Sequence, residues 1–372
     1  MFRKNIATAG ALIVALNIVL TAQDKPVHEA DVPPILKIGA QAPDFNLPGI
    51  DGKMHSLDEY ASSKLLAIVF TCDHCPVAQM YEKRIKQVTA DYQDRGVALV
   101  AINPNDPKAV HLSEMGHTDM GDTLAEMKLR AEYRHFNFPY LSDGATQSVA
   151  LQYEGRIDSN SREDLATKHE ARDALDALLS DRPVAVSSTP AVGCSTKWAY
   201  KEAGAKAEIG ASEKEPVNVE MVSVDQLKAL RANTGTRKLL LVNFWATWCE
   251  PCLAEFPELQ KMVRMYCKRA MDIVTVSINA PDEKDFVLKF LKEQHAINRN
   301  LLFSGNDAAD AVAAFGADWS GGVPFTVLIG MNGELLFKTQ GAMNALEVKR
   351  AALRNLTDDR YVGQHAYWNS TF

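Results

Sequence analysis

The sequence predicts an α/β fold with two domains, the first of which is incomplete. In the second half, the apolar run 239–245 predicts a buried strand, and the C-x-x-C pair 249–252 stands between it and a helical stretch. In the first half, the apolar run 65–70 leads into the C-x-x-C pair 72–75, and a helix is predicted over 77–92. The same order of strand, cysteine pair and helix in both halves indicates an internal repeat.

The composition excludes several classes of function. The chain has 372 residues, 47% of them hydrophobic and 23% charged, which is ordinary for globular protein and enough for two domains. Its net charge of -7 gives no support for nucleic-acid binding. Six cysteines are too few to staple a chain of this size, and four of them fall in the two C-x-x-C pairs. This usage indicates catalysis.

The second C-x-x-C pair lies where a helix begins. A helix N-terminus stabilises a thiolate at Cys249, and the thiolate is the form of cysteine that attacks disulfides. The alternative is half of a zinc site, which needs four ligands and usually takes them from two nearby pairs. Because Cys72 and Cys75 belong to a separate strand–helix unit, redox chemistry is favoured over metal binding.

The stretch 321–329 places Pro324 at the start of another apolar strand, a position that suits a first strand residue or a cis peptide. With the stretch 243–252, Glu255 and the pair Val323-Pro324, the last third of the chain resembles the thioredoxin fold. Within that fold it is most similar to the extracytoplasmic TlpA/ResA-like thiol–disulfide oxidoreductases. The resemblance implies a mixed central sheet flanked by helices.

The resemblance also implies the role of each site residue. Cys249 attacks the substrate disulfide, Cys252 resolves the mixed disulfide, and Pro324 is cis and lies against the cysteines. Glu255 relays a proton to the resolving thiol. The remaining site residues would contact the partner: Trp248 through its exposed ring, and Val323 through its backbone, to which a substrate peptide adds as a strand.

The first domain resembles the redoxin family, which is peroxiredoxin- and thioredoxin-like, from about Ile38 to Asp181. The stretch 38–48 is typical of the opening of such domains, and Asp51-Gly52 fits the turn of an N-terminal hairpin. The domain departs from the family after a helix predicted over 145–153. That helix runs directly into the segment 154–158, so one strand and its cis-proline loop are missing. Three explanations remain open: another segment of the chain completes the sheet, the redox activity of this domain is impaired, or the sequence is truncated or misread.

The first pair, Cys72 and Cys75, encloses Asp73 and His74. A cationic His74 favours the thiolate, whereas Asp73 opposes it, and we expect this site to be the more oxidising of the two. A thiol peroxidase is the minority alternative, because the proline that should precede its cysteine is missing. A copper module is another, with its histidine ligand drawn from four candidates that are more simply surface residues: His111, His117, His135 and His169.

Two further cysteines remain outside the pairs. Cys194 lies in a Gly-Cys-Ser-x-Lys-Trp element that often ends domains of this redoxin family. It either forms a mixed disulfide with Cys72 or Cys75 or stays a free thiol. Cys267 lies on a helix predicted over 259–268 and is most simply a core residue.

The N-terminus has the pattern of a signal peptide, in which the basic residues Arg3 and Lys4 precede a mainly apolar run over 6–20. This pattern predicts export to the periplasm or secretion, with an uncleaved membrane anchor as the alternative. The predicted organisation is a signal peptide (1–22), a redoxin domain (30–182), a linker (183–216), a TlpA/ResA-like domain (217–358) and a loose tail (359–372).

The sequence therefore predicts an extracytoplasmic thiol–disulfide oxidoreductase that acts through Cys249 and Cys252. By resemblance it reduces protein disulfides, including those of apocytochrome c, and receives electrons from a membrane-bound donor. No organic cofactor and no metal are expected, since the disulfide itself carries the electrons. The opposing class is a non-enzymatic binding or redox-sensing protein that has kept the fold. The sequence does not give the oligomeric state.

Overall fold

The computed structural model describes residues 37–40, 44–143, 153–305, 307–316, 319–357, 361 and 363–370. The predicted signal peptide and most of the helix predicted over 145–153 lie outside these ranges. No helix in the described ranges has the length and hydropathy needed to cross a membrane.

The described residues alternate between strands and helices, as the sequence predicts. The strands are β1 (Asn46–Pro48), β2 (Met54–Ser56), β3 (Leu65–Phe70), β4 (Val97–Asn103), β5 (Tyr140–Ser142), β6 (Glu220–Val222), β7 (Leu239–Trp245), β8 (Met271–Ser277), β9 (Arg299–Phe303), β10 (Phe325–Ile329) and β11 (Leu335–Gln340). The helices are α1 (Pro76–Tyr92), α2 (Leu124–Arg134), α3 (Glu170–Leu179), α4 (Glu202–Ser212), α5 (Val224–Ala232), α6 (Glu250–Tyr266), α7 (Lys284–Glu293), α8 (Ala308–Phe315), α9 (Ala345–Asn355) and α10 (Gln364–Trp368).

The second half folds around a mixed sheet of six strands in the order β11-β10-β7-β8-β9-β6. Strand β7 lies near its centre, parallel to β8 and antiparallel to β10. All seven residues of β7 are buried, which explains why all of them except Asn243 are apolar. A central strand covered on both faces holds its C-terminal end rigidly, and the C-x-x-C pair follows at that end.

The first half contains a smaller parallel sheet in the order β3-β4-β5, with the predicted hairpin formed by β1 and β2. Among the described residues, β3 pairs only with β4, so its other edge has no strand partner. None of its six residues is fully buried, and Phe70 is 57% exposed. This agrees with the expected loss of a strand and its cis-proline loop from the first domain.

The two sheets belong to one compact unit, residues 37–372. Val110 and Met115 of the first half pack into the same apolar cluster as Leu241 of β7. A Cβ atom on Gly116 would lie 2.5 Å from the backbone oxygen of Met265 on α6, so the contact between the halves needs a glycine there. The interface is therefore closely packed.

A buried ionic cluster also joins the halves. Arg130 on α2 is completely buried and donates hydrogen bonds to Glu82, Asp119 and the hydroxyl of Tyr367. Asp119 in turn accepts a hydrogen bond of 2.8 Å from Arg350 on α9. Because buried charges need partners, the cluster fixes α2, α9 and the C-terminal helix in one arrangement.

The expectation of a loose tail over 359–372 is wrong for the described residues 363–370. They form α10, in which Trp368 is 2% exposed and the Tyr367 hydroxyl donates a hydrogen bond to Glu82. Gln364 donates a hydrogen bond of 2.8 Å to the backbone oxygen of His117. Two large aromatic side chains bury enough apolar area to outweigh the entropy of ordering a short segment.

The predicted linker over 183–216 contains α4, and its first part lies against the first half. Ser188 forms a β-bridge with Glu154, the start of the segment in which the sequence resembles an edge strand. A Cβ atom on Gly155 would lie 2.0 Å from the side chain of Thr189, so a glycine permits this close approach. The residues before α4 therefore follow a defined path across the first half.

Candidate active sites

The second C-x-x-C pair lies at the N-terminus of α6, directly beyond the end of β7. Cys249 is the N-cap residue, and a disulfide joins it to Cys252. Both cysteines are buried, whereas the side chain of Trp248 is 64% exposed. Once the bond is reduced, the N–H groups at this helix start favour a thiolate on Cys249, because they carry partial positive charge.

The loop before β10 meets the cysteines from the other side. The Val323–Pro324 peptide is cis, and Val323 packs against the apolar cluster that contains Cys249 and Cys252. Since β10 is paired with β7 so that Phe325 lies opposite Phe244, the loop falls level with the end of β7. The structure thus brings together the two cysteines and the Val323-Pro324 pair, which lie far apart in sequence.

Glu255 lies on α6 one turn after Cys252, on the same helix face. Its Oε1 accepts a hydrogen bond of 2.9 Å from Asn243, and its Oε2 accepts one of 2.7 Å from the Met343 backbone N–H. Burial raises the pKa of Glu255, although these two hydrogen bonds lower it in part. A carboxyl group with a raised pKa is suited to donating and accepting protons near neutral pH.

Two more polar residues belong to this site: Asn243, which lies in the stretch that carries the resemblance, and Asn279, which escaped sequence reasoning. Asn243 also donates a hydrogen bond of 2.9 Å to the Thr326 hydroxyl, which connects β7, β10 and α6. Asn279 follows β8, and its Oδ1 accepts the backbone N–H of Thr247 at 2.9 Å. A polar residue directly after a strand was the available signal, because adjacent parallel strands end at the same edge of a sheet.

The first C-x-x-C pair has a different register relative to its helix. Here the second cysteine, Cys75, is the N-cap residue of α1, and Cys72 lies in the loop before it. Both are free thiols, with Cys75 2% exposed and Cys72 partly buried. The helix N-terminus therefore favours a thiolate on Cys75, whereas in the second site it favours Cys249.

A buried carboxylate that the sequence did not reveal organises this loop. Asp122 accepts the backbone N–H groups of Asp73 at 2.9 Å and His74 at 3.3 Å through Oδ1. Its Oδ2 accepts a hydrogen bond of 2.5 Å from His74 Nδ1. Burial is the largest influence on Asp122 and raises its pKa, but the charge of His74 and the hydrogen bonds that Asp122 accepts together outweigh it, so the pKa is lowered. Burial by itself lowers the pKa of His74, but Asp122 and the charge of Cys75 together raise it above its ordinary value.

The charges around the first pair differ from the expectation. Burial raises the pKa of Asp73 well above its ordinary value, which disfavours the negative charge that was expected to oppose a thiolate. Its Oδ1 accepts a hydrogen bond of 3.1 Å from the hydroxyl of Tyr140. The positive charge of His74 is offset by Asp122, so His74 favours a thiolate less than a lone imidazolium would.

The third cysteine of the first half, Cys194, reaches this site across 119 residues of sequence, with its Sγ 2.6 Å from the Sγ of Cys75. The other free cysteine, Cys267, does not lie in the core as expected. It is the C-cap residue of α6 and is exposed.

One group of possible metal ligands occurs among the described residues. It consists of Cys72, His74 and Asp122, whose ligand atoms lie within 4.8 Å of one another. The four histidines considered from sequence as copper ligands do not belong to it. One of them, His117, is 5% exposed and is hydrogen-bonded to Gln364, so a surface position is wrong for it.

Comparison with known families matches the two halves separately. Residues 38–174 match the AhpC/TSA family, and residues 222–353 match the family described as Redoxin. The chain contains two redoxin-type domains. The repeat of strand, C-x-x-C and helix is thus the repeat of a domain.

Two curated relatives match about three tenths of the chain. The thiol-disulfide oxidoreductase ResA of Oceanobacillus iheyensis is 30% identical over 106 residues, which are 28% of this chain and 51% of that protein. The thiol:disulfide interchange protein CycY of Rhizobium leguminosarum bv. viciae is 32% identical over 113 residues, which are 30% of this chain and 55% of that protein. The chain therefore spans little more than half the length of these curated relatives.

Solved structures of similar sequence include an uncharacterized conserved protein from Geobacillus kaustophilus. It is 31% identical, with a TM-score of 0.38, and the match covers 44% of this chain and 93% of that protein.

Proposed function

We propose that this protein is a thiol–disulfide oxidoreductase that reduces protein disulfides through Cys249 and Cys252. The observation that carries the proposal is the arrangement of this pair. The two cysteines are disulfide-bonded at the N-terminus of α6, beside the cis Val323–Pro324 peptide. The names of the relatives, an oxidoreductase and an interchange protein that act on thiols and disulfides, support the same chemistry.

The proposed cycle begins with the reduced pair. The Cys249 thiolate attacks one sulfur of a substrate disulfide, so that a mixed disulfide forms and the first substrate thiolate leaves. Cys252 then loses its proton and attacks the Cys249 sulfur, which releases the second substrate thiolate and closes the Cys249–Cys252 disulfide. Two electrons have passed to the substrate, and an external dithiol donor must return two electrons to the protein.

Each neighbouring residue has a proposed part in this cycle. The Glu255 carboxyl, with its raised pKa, accepts the proton that Cys252 loses. The exposed ring of Trp248 contacts the substrate, and the Val323 backbone pairs with an extended substrate segment. Pro324 shapes the floor of the groove. The redox-active disulfide is the carrier of electrons, without an organic cofactor or metal.

We also propose that the protein works outside the cytoplasm and takes its electrons from a membrane-bound donor. The basic and apolar pattern over residues 3–22 supports this location. The proposed location is tested by expressing the full chain, separating exported from cytoplasmic protein, and measuring the mass of the N-terminal peptide of each. Cleavage after Ala22 supports the proposal, and a chain that stays in the cytoplasm uncleaved contradicts it.

The reduction potential of the Cys249/Cys252 pair tests the proposed direction. The full chain is equilibrated in glutathione buffers, and the redox state is determined by mass on the tryptic peptide 239–261, which holds both cysteines. A value near or below about -270 mV supports a reductase. A value near about -120 mV makes the protein a disulfide donor. Absence of a reversible couple makes it a binding protein.

A further inference from the structure

Three cysteines converge at the first site, although only two belong to the C-x-x-C pair. The Sγ atoms of Cys75 and Cys194 lie 2.6 Å apart, whereas two sulfurs joined in a disulfide lie about 2.05 Å apart. Two thiolates bound to one tetrahedral zinc ion at about 2.3 Å would lie about 3.8 Å apart. The separation is therefore close to that of a covalent bond and too short for a shared metal ion.

The segment that carries Cys194 is held in place by contacts three residues later. The backbone N–H of Lys197 donates to Asn105 Oδ1 at 2.8 Å, and the Lys197 oxygen accepts the N–H of Asp106 at 2.8 Å. The Lys197 ammonium group, largely buried, forms an ion pair with Glu114 at 2.8 Å. The backbone and the side chain of Lys197 therefore both hold this segment against the first half.

The same buried carboxylate holds both partners of the close contact. Asn105, which binds the Lys197 backbone, donates through Nδ2 to Asp122 Oδ2 at 2.9 Å. Asp122 accepts the N–H groups of the loop between Cys72 and Cys75. The meeting of Cys75 and Cys194 is thus supported by a continuous set of buried hydrogen bonds.

The thiols on either side favour the reactive form of Cys75. Hydrogen bonds from Cys194 and from Cys72 lower the pKa of Cys75, and they raise the pKa of both donors. Cys75 is also the N-cap residue of α1. A thiolate at Cys75 therefore lies between two thiols, each of which can become its disulfide partner.

We propose that Cys194 is a third redox-active cysteine of the first site, and that Cys75 exchanges its disulfide between Cys72 and Cys194. In the exchange, the Cys194 thiolate attacks the Cys75 sulfur of a Cys72–Cys75 disulfide. The Cys75–Cys194 bond forms, the Cys72–Cys75 bond breaks, and Cys72 takes up the proton that Cys194 lost. No electrons enter or leave the protein in this step.

The difference in exposure between Cys194 and Cys75 indicates what the exchange could do. Cys194 is exposed and Cys75 is buried, so an external disulfide reaches Cys194 first. Cys194 loses its proton and attacks the external disulfide, so a mixed disulfide forms on Cys194 and the first external thiolate leaves. The Cys75 thiolate then attacks the Cys194 sulfur, which forms the Cys75–Cys194 disulfide and releases the second external thiolate. Two electrons pass from the cysteine pair to the external disulfide. Cys194 would thus connect the buried Cys75 to disulfides in solution, independently of the Cys249/Cys252 pair.

Peptide mapping of the full chain tests the proposal. The protein is reduced, oxidised with glutathione disulfide, alkylated and digested with trypsin. Cys72 and Cys75 share the peptide 65–83, whereas Cys194 lies in the peptide 173–197. A Cys75–Cys194 bond links these two peptides, and a Cys72–Cys75 bond does not. We expect the linked pair in the wild-type protein and in Cys72→Ser, and its loss by about tenfold or more in Cys75→Ser.

Two controls separate this result from misfolding and from the proposed function. Cys267→Ser, which removes an exposed cysteine outside the site, is expected to keep the linked peptides. The Cys249–Cys252 disulfide within the peptide 239–261 is expected in every variant and reports the state of the second site separately. If a variant fails to fold, fragmentation of the linked wild-type peptides between Cys72 and Cys75 shows which of the two is bonded to Cys194.

Three outcomes would overturn the proposal. The first is oxidation of Cys72→Ser to glutathione adducts alone, with no linked peptides, while the second site closes normally. The second is equal linking in Cys75→Ser, which would make Cys72 the partner of Cys194. A metal at Cys72, His74 and Asp122 is tested by adding Zn²⁺ to the reduced protein: protection of Cys72 from alkylation together with absence of linked peptides also overturns it.

Discussion

The two C-x-x-C pairs of this chain follow similar apolar strands, but the strands end in different surroundings. β7 has strand partners on both sides and is buried along its whole length. In the described part of the chain, β3 has a partner on one side, and none of its residues is fully buried. Beside the second pair, the antiparallel neighbour of β7 brings the cis Val323–Pro324 loop. Beside the first pair lies Cys194, which comes from a distant segment of the chain.

The carboxyl groups of the two sites also differ. In the second site, burial raises the pKa of Glu255, so its carboxyl group is held towards the neutral form. In the first site, Asp122 is ion-paired with His74, and its pKa is lowered. A carboxyl group that gains and loses a proton suits proton transfer, whereas a buried hydrogen-bonded pair suits a fixed loop.

This comparison teaches that the C-x-x-C motif defines a redox candidate and leaves the chemistry to its neighbours. In one site the first cysteine caps the helix, and in the other the second cysteine does. The attacking residue differs accordingly. Substitutions made in one site alone therefore distinguish disulfide reduction by the second site from disulfide exchange in the first.

The largest expected effect is that of Cys249→Ser on disulfide reduction. This substitution removes the proposed nucleophile, and we expect the rate of peptide-disulfide reduction to fall on the order of a thousandfold. Cys75→Ser, made at the other site, is expected to change that rate by less than about tenfold. A stopped-flow assay with a reduced protein and a disulfide peptide measures both. Equal losses would mean that the two sites act as one relay.

Arg130→Met is expected to destabilise the chain strongly because it leaves Glu82 and Asp119 buried with fewer partners. Breaking a buried ion pair from one side costs about 3–5 kcal/mol in the free energy of unfolding. Urea denaturation measures it, with Lys83→Met as the control, since the Lys83–Glu163 pair is exposed and is worth at most about 1 kcal/mol. Similar costs for both variants would contradict the role of the cluster.

Asp122→Asn is expected to lower the free energy of unfolding most in mildly acidic solution. The lowered pKa of Asp122 adds stability that is present above about pH 4 and is lost as the pH falls further. The raised pKa of His74 adds stability that is present below about pH 6.5 and is lost as the pH rises above it. The loss in Asp122→Asn should reach about 3 kcal/mol near pH 5.5 and be smaller at pH 9. Urea denaturation at both pH values measures this difference. A loss that grows with pH would contradict the ion pair.

Glu255→Gln is also expected to gain stability relative to wild type as the pH rises, but through the titration of a group in the second site. Because the native pKa of Glu255 is raised above 4.5, the folded state holds its proton longer, and stability is lost as the pH rises through this range. The glutamine variant lacks that loss, so its stability relative to wild type should increase with pH. Its rate of mixed-disulfide resolution should fall on the order of a hundredfold. An unchanged rate would reduce Glu255 to a structural role.

The smallest expected effect is that of Trp248→Ala. Its side chain is 64% exposed, so the free energy of unfolding should change by about 0.5 kcal/mol or less. If the ring contacts substrate, KM for a protein disulfide should rise severalfold while kcat stays the same. Steady-state kinetics measure this, with Trp248→Phe expected to restore binding. A fall in kcat alone would place the ring outside the substrate contact.

Much of the fold follows from local sequence. The apolar run 239–245 and the helix that begins at the cysteine pair appear in the structure as predicted, because a buried strand and a helix start both have strong local patterns. The cis-proline loop could be proposed because Pro324 precedes an apolar strand, and the structure has the Val323–Pro324 bond cis. The role of Asp122 could not, since nothing near it in sequence marks it as a partner of the loop at His74.

The sequence by itself determined the repeat of two domains and the two cysteine pairs, and it predicted the loss of a strand from the first domain. These depend on neighbouring residues and on a repeated pattern. Only the tertiary structure decided that Cys194 meets Cys75, that Asp122 pairs with His74, and that α10 packs beside Arg130. Each of these contacts joins residues far apart in the chain. They depend on how the folded elements pack, and local sequence patterns carry no record of that packing.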